Sequence, residues 1–100
     1  MDRHDLVCCI NPDPEKQPVN IPRWKYEAVR TAILGVLKDN PQGVEFKRLP
    51  SLVGKVLSVD ELRRLGSVPW HTTVVKLHLE AVSEIERLVD RRPQVIRLVH

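Results

Sequence analysis

The stretch Gly66-Ser-Val-Pro-Trp70-His-Thr-Thr-Val-Val-Lys-Leu-His-Leu-Glu80-Ala-Val-Ser-Glu-Ile85-Glu-Arg-Leu-Val-Asp90-Arg-Arg-Pro-Gln-Val95-Ile-Arg-Leu-Val99 decides the fold, because its apolar period changes once, after Ser83. Ser67 carries a hydroxyl where a helix needs a cap, and Pro69 falls just inside the first turn, where its fixed φ suits a helix. Trp70, Val74, Leu77 and Ala81 follow at i, i+4, i+7 and i+11, one face of a helix. Beyond Ser83 the apolar residues Ile85, Leu88 and Val89 precede a polar turn, Asp90-Arg-Arg-Pro93, and Val95, Ile96, Leu98 and Val99 follow it. Two such runs around a short turn read as a β-hairpin. The expectation is a helix at about 68–82 and a hairpin at about 84–99.

Working back toward the N-terminus, the Ser58-Val-Asp-Glu61 stretch has the serine and glutamate of a capping box, so a short helical turn starts there and stops at Gly66, near 59–65. Leu49, Leu52, Val53, Val56 and Leu57 form a helical stripe at about 47–57, and Pro50 is tolerated in its first turn. Val44-Glu-Phe46 alternates over a length suited to a short strand. Tyr26, Val29, Ile33, Val36 and Leu37 mark a helix at about 22–39, opened by Pro22 and closed by Asp39-Asn-Pro-Gln-Gly43. Residues 1–21 read as an arm, either a loose hairpin of Leu6–Ile10 with Val19–Ile21 or an extended segment, broken by Asn11-Pro-Asp-Pro14. Residues 22–100 form the domain proper.

The order is arm, helix, short strand, helix, helical turn, helix, hairpin. This α+β order, three helices with a short strand after the first and a terminal hairpin, is that of a winged helix-turn-helix. The stretch Gly66–Glu80 with Glu84-Ile-Glu-Arg87, together with Lys25-Tyr-Glu-Ala-Val-Arg30, resembles a small bacterial winged helix-turn-helix family of unknown function, over about residues 19–97. The resemblance implies the fold and no established activity.

Composition excludes several classes. Hydrophobic residues make up 42% and charged residues 29% of the 100, which are globular proportions for one domain. No apolar run approaches the ~20 residues of a membrane span, and the acidic N-terminus lacks the pattern of a secretory signal, so a cytoplasmic setting and no membrane partner are expected. Adjacent Cys8 and Cys9 read as reduced strand thiols. The net charge of +3 is uneven. Residues 1–22 hold two bases against four acids, and the remainder holds fourteen bases against nine acids. A modestly basic domain behind an acidic leader can attract phosphates, although an ordinary solvated surface has the same look.

Helix-turn-helix recognition needs polar side chains near the start of the third helix. His71, Thr72, Thr73 and Lys76 are the candidates, and rotation of ~100° per residue places Thr72, Thr73, Lys76 and Glu80 opposite Trp70, Val74 and Ala81. On that reading Trp70 heads the core stripe, while Val75 and Leu79 point away from it and need cover from the arm, the hairpin or a partner. The hairpin supplies Arg87, Arg91, Arg92 and Arg97, whose planar forks match phosphate oxygens. Lys47-Arg48 and Arg63-Arg64 read first as helix-surface charges.

No metal or cofactor is expected. His71 and His78 stand ~10.5 Å apart along a helix, too far to share an ion comfortably. No glycine-rich phosphate loop, Gly-x-Ser-x-Gly or His-Glu-x-x-His occurs, so an enzyme is not expected. The function expected is weak, wing-dominated binding of duplex DNA, with regulation as its setting. The alternative is a protein-interaction module on the same fold, with a protein partner or a homodimer.

Overall fold

The computed structural model describes residues 5–90 and 92–99. Among the described residues the chain is α+β, with four α-helices and two small antiparallel sheets. Strands β1 (Leu6–Cys9) and β2 (Val19–Pro22) pair in the register Leu6↔Pro22 to Cys9↔Val19, so the arm is a hairpin rather than an extended segment. Its wide turn is held by side-chain oxygens. Asn11 Oδ1 accepts from the Asp13 amide at 2.9 Å, and Asp13 Oδ1 accepts from the Glu15 amide at 3.0 Å.

Helix α1 (Arg23–Lys38) starts directly after Pro22 and buries Val29, Ala32, Ile33, Val36 and Leu37. Asn40 closes it by donating from Nδ2 to the Val36 carbonyl at 2.8 Å. Gly43 follows with φ +109°, and a Cβ there would meet Val95 Cγ1 at 2.6 Å and the Ile96 carbonyl at 3.0 Å. Only glycine allows the chain to turn so tightly beside the sheet. Strand β3 (Val44–Glu45) and a 3-10 turn (Phe46–Arg48) lead into α2 (Leu49–Val56). The second helix therefore begins as 3-10 and becomes α only at Leu49.

The capping box at Ser58 is complete. Its amide donates to Glu61 Oε1 at 2.8 Å, and the Glu61 amide donates to Ser58 Oγ at 3.1 Å. It opens α3 (Val59–Leu65), the short helix that the capping box predicts, and Gly66 ends it. Ser67 Oγ then accepts from the Trp70 amide at 3.1 Å and caps α4 (Val68–Ala81). Strands β4 (Ile85–Arg87) and β5 (Val95–Leu98) complete a second sheet of order β3-β5-β4.

One core joins these layers. Helices α1 and α2 pack on α4, and Val29, Ile33, Leu37, Leu49, Val53, Val75, Leu79, Ile85 and Ile96 meet between them and the sheet. Cys9 and Ile21 belong to the same core, so the arm hairpin is packed onto the body. Among the described residues no helix is long and apolar enough to cross a membrane.

Candidate nucleic-acid interface

Helix α4 turns a different face to the core from the one its sequence suggests. Trp70, expected as a core anchor, is 48% exposed, whereas Val75 and Leu79 are fully buried. Of the residues expected to face a groove, His71 (8% exposed), Thr72 (0%) and Lys76 (4%) lie inside. The reason is that apolar residues recur all round this helix, and internal partners take up the imidazole of His71 and the ammonium of Lys76 on its inner face. Lys76 Nζ donates to Gln94 Oε1 at 2.6 Å and stands 4.5 Å from the centre of the Phe46 ring. Glu80 Oε1 is 2.8 Å from the same ammonium, but outside hydrogen-bond geometry, so that contact is coulombic. His71 Nδ1 lies 2.6 Å from the Ser67 carbonyl, and donates to it in the matching tautomer. Burial lowers its pKa, helped by the Lys25 charge and opposed by that bond. Thr72 Oγ1 is buried without a hydrogen-bond partner among the described residues. Thr73 alone of the four stays at the helix flank, half-buried.

The outer side of α4 therefore carries Trp70, Thr73, Val74, Leu77 and Ala81, none of them cationic. The arm lies along part of it. The Ile10 amide donates to Nδ1 of His78 at 3.0 Å, and Tyr26 meets the same imidazole edge-on, 5.5 Å between ring centres. Burial lowers the pKa of His78, with Glu84 pulling the other way. Between α4 and the second sheet runs an open groove of about 800 Å³, lined by Thr73, Leu77 and Glu80 on one side and Arg87, Val89 and Gln94 on the other. The arm residues Asn11, Pro12 and Asp13 reach its rim.

The hairpin arginines separate into two kinds. Arg97 Nε donates to Glu86 Oε2 at 2.6 Å across the β4–β5 ladder, so it is engaged within the sheet. Arg87 and Arg92 are exposed, and among the described residues neither has an ion-pair partner. Both line a hollow of about 430 Å³ with Leu88, Val89, Pro93 and Gln94, a lining that contains no carboxylate. Arg91, the remaining hairpin candidate, lies outside the described residues.

Sheet register adds two cations that reading along the chain set aside. The Phe46 amide donates to the Gln94 carbonyl at 2.9 Å, continuing the β3–β5 pairing, and Arg87 pairs with Ile96 on the other side of β5. Lys47 and Arg48, which follow Phe46, thus sit at the same end of the sheet as Arg87 and Arg92. Both are exposed, and Lys47 Nζ is 3.6 Å from Glu45 Oε2. Only the pairing of strands distant in sequence reveals this grouping.

Among the described residues no three His, Cys, Asp or Glu side chains gather as a metal site. Cys8 is exposed and Cys9 buried, both free, and burial pushes the Cys9 thiol up to about 11, with Cys8 adding to the rise. A thiol held protonated in this way is a poor nucleophile at neutral pH.

Fold and site together define a small α+β protein with a basic β-hairpin and a central packed helix whose outer side carries no cation. The chain belongs to a family of unknown function, DUF6958, which matches residues 6–96. No curated protein and no solved structure matches it.

Proposed function

We propose that the chain is a winged-helix protein that binds nucleic acid through phosphate contacts of its wing, the β4–β5 hairpin, with little sequence preference. The observation that carries this reading is the pair Arg87 and Arg92, exposed, without an ion-pair partner among the described residues, and lining one hollow with no carboxylate among its lining residues. A helix, a short strand, further helices and a hairpin, with sheet order β3-β5-β4, support the fold assignment. Arginine forks suit phosphate oxygens, and backbone contacts give affinity without reading bases. Base readout through α4 is disfavoured, because Lys76 is bound internally and the outer face offers Thr73 as its hydrogen-bonding side chain near the helix start.

The test is binding to random duplex DNA as salt is raised. The reading expects dissociation constants of ~10⁻⁴ to 10⁻⁶ M that weaken steeply with salt. Absence of binding at low salt overturns it. A specific observation favours one second reading, a protein-interaction module: the half-exposed indole of Trp70 heads the apolar outer side of α4, and tryptophan is enriched where partners anchor.

A further inference from the structure

We infer that the ligand of the basic sheet end is a single phosphodiester strand, so that single-stranded nucleic acid binds as well as duplex. The inference rests on the nucleic-acid reading above and deepens it. A reader of duplex needs an element to enter a groove, and among the described residues none is built for that. The outer face of α4 has no cation, and in the groove beside it Glu80 is paired with Lys76 and Glu86 with Arg97, which leaves Asp13 opposing Arg87. A phosphate finds no net attraction there.

Exposed cations gather at one end of the second sheet, Arg87 among them. Lys47 and Arg48 follow β3, Arg87 ends β4, and Arg92 precedes β5. Strand order β3-β5-β4 puts Arg87 two strand spacings from β3, ~9–10 Å, with Arg92 just before the central strand between them. Among the described residues the carboxylates at this end are Glu45, drawn toward Lys47, and Asp90 at the hairpin tip, so four cations face two acids. A short row of this kind meets successive phosphates of one strand and makes no demand on a groove. A single strand presents the same phosphates and bends to the row more easily than a duplex, whose persistence length is ~150 base pairs. Stacking is not part of this mode: among the described residues Phe46 is the one aromatic ring at the sheet end, and the Lys76 ammonium sits over it at 4.5 Å.

The experiment measures fluorescence anisotropy of labelled random 20-mers, single-stranded and duplex, over a salt series. It compares the parent protein with Arg87→Ala/Arg92→Ala and Lys47→Ala/Arg48→Ala. All four side chains are exposed, and circular dichroism confirms that the variants fold. The expected result is that both probes bind with affinities within about tenfold of each other. Each double variant should weaken both probes and flatten the slope of log K against log salt, by ~1.8 for duplex and ~1.4 for single strand. Duplex binding without single-strand binding overturns the inference and leaves the wing reading standing. So does duplex binding that Lys47→Ala/Arg48→Ala leaves unchanged. Failure of both probes with the parent protein overturns the wing reading, and this inference with it.

Discussion

Lys76 Nζ lies 2.6 Å from Oε1 of Gln94, a hydrogen bond that ties the middle of α4 to the residue just before β5. The ammonium is almost wholly buried, with Glu80 and the Phe46 ring as its other neighbours. A lysine in this position is a structural group that fixes the hairpin against the helix.

Replacing it should therefore act on stability. Lys76→Ala leaves the mostly buried Glu80 carboxylate without its cation, and breaking a buried pair in this way costs ~3–5 kcal/mol. Lys76→Met/Glu80→Leu, which removes both charges and keeps the volume, should recover most of the loss. Urea denaturation reads both. A Lys76→Ala protein as stable as the parent contradicts the account.

Trp70 leads to the opposite expectation. Truncating a buried tryptophan costs ~3–5 kcal/mol, but this one is 48% exposed. Trp70→Ala should cost about 1 kcal/mol, and a thermal melt should shift by only ~4–8 °C. A loss of several kcal/mol would return Trp70 to the core.

Much of the fold was legible in the sequence because its signals are local. The capping box at Ser58 and Glu61, the Ser67 cap and the Asp39–Gly43 stop each use residues a few positions apart. The inward face of α4 was not legible. Apolar residues surround that helix, and the choice between faces hung on where Thr72 and Lys76 point. Lys76 lies inside because Gln94, 18 positions away, accepts a hydrogen bond from its ammonium, a pairing no helical period reveals. The candidate site was half legible for the same reason. Arg87 and Arg92 stand out along the hairpin, but the grouping of Lys47 and Arg48 with them follows from strand register.

Thr72 gives a sharper check of that inner face. Its Oγ1 is buried without a partner, which costs free energy relative to an apolar group of the same shape. Thr72→Val should be neutral or stabilising by ~1 kcal/mol in urea denaturation. A clear destabilisation would mean that the hydroxyl has a partner after all.

The arm should respond to acid through His78. Its Nδ1 accepts from the Ile10 amide and can do so only while unprotonated there, and burial lowers its pKa below the ordinary 6.5. Burial lowers that of His71 as well. Groups with depressed folded values bind more protons when unfolded. Their contribution is complete above about pH 6.5 and is lost as pH falls through the folded values. Urea midpoints measured from pH 7.5 to pH 5 should fall on the acid side, and His78→Leu should flatten part of that fall. Equal slopes in parent and variant would remove His78 from the account.

The central claim is that nucleic acid meets the wing arginines and leaves α4 untouched. The most direct measurement is the salt dependence of random-duplex binding for the parent, Arg87→Ala/Arg92→Ala and Thr73→Ala. The account predicts that the wing variant weakens binding and lowers the slope of log K against log salt by ~1.8, while Thr73→Ala matches the parent. Tight binding to one chosen sequence that Thr73→Ala abolishes and the wing variant leaves intact would contradict it.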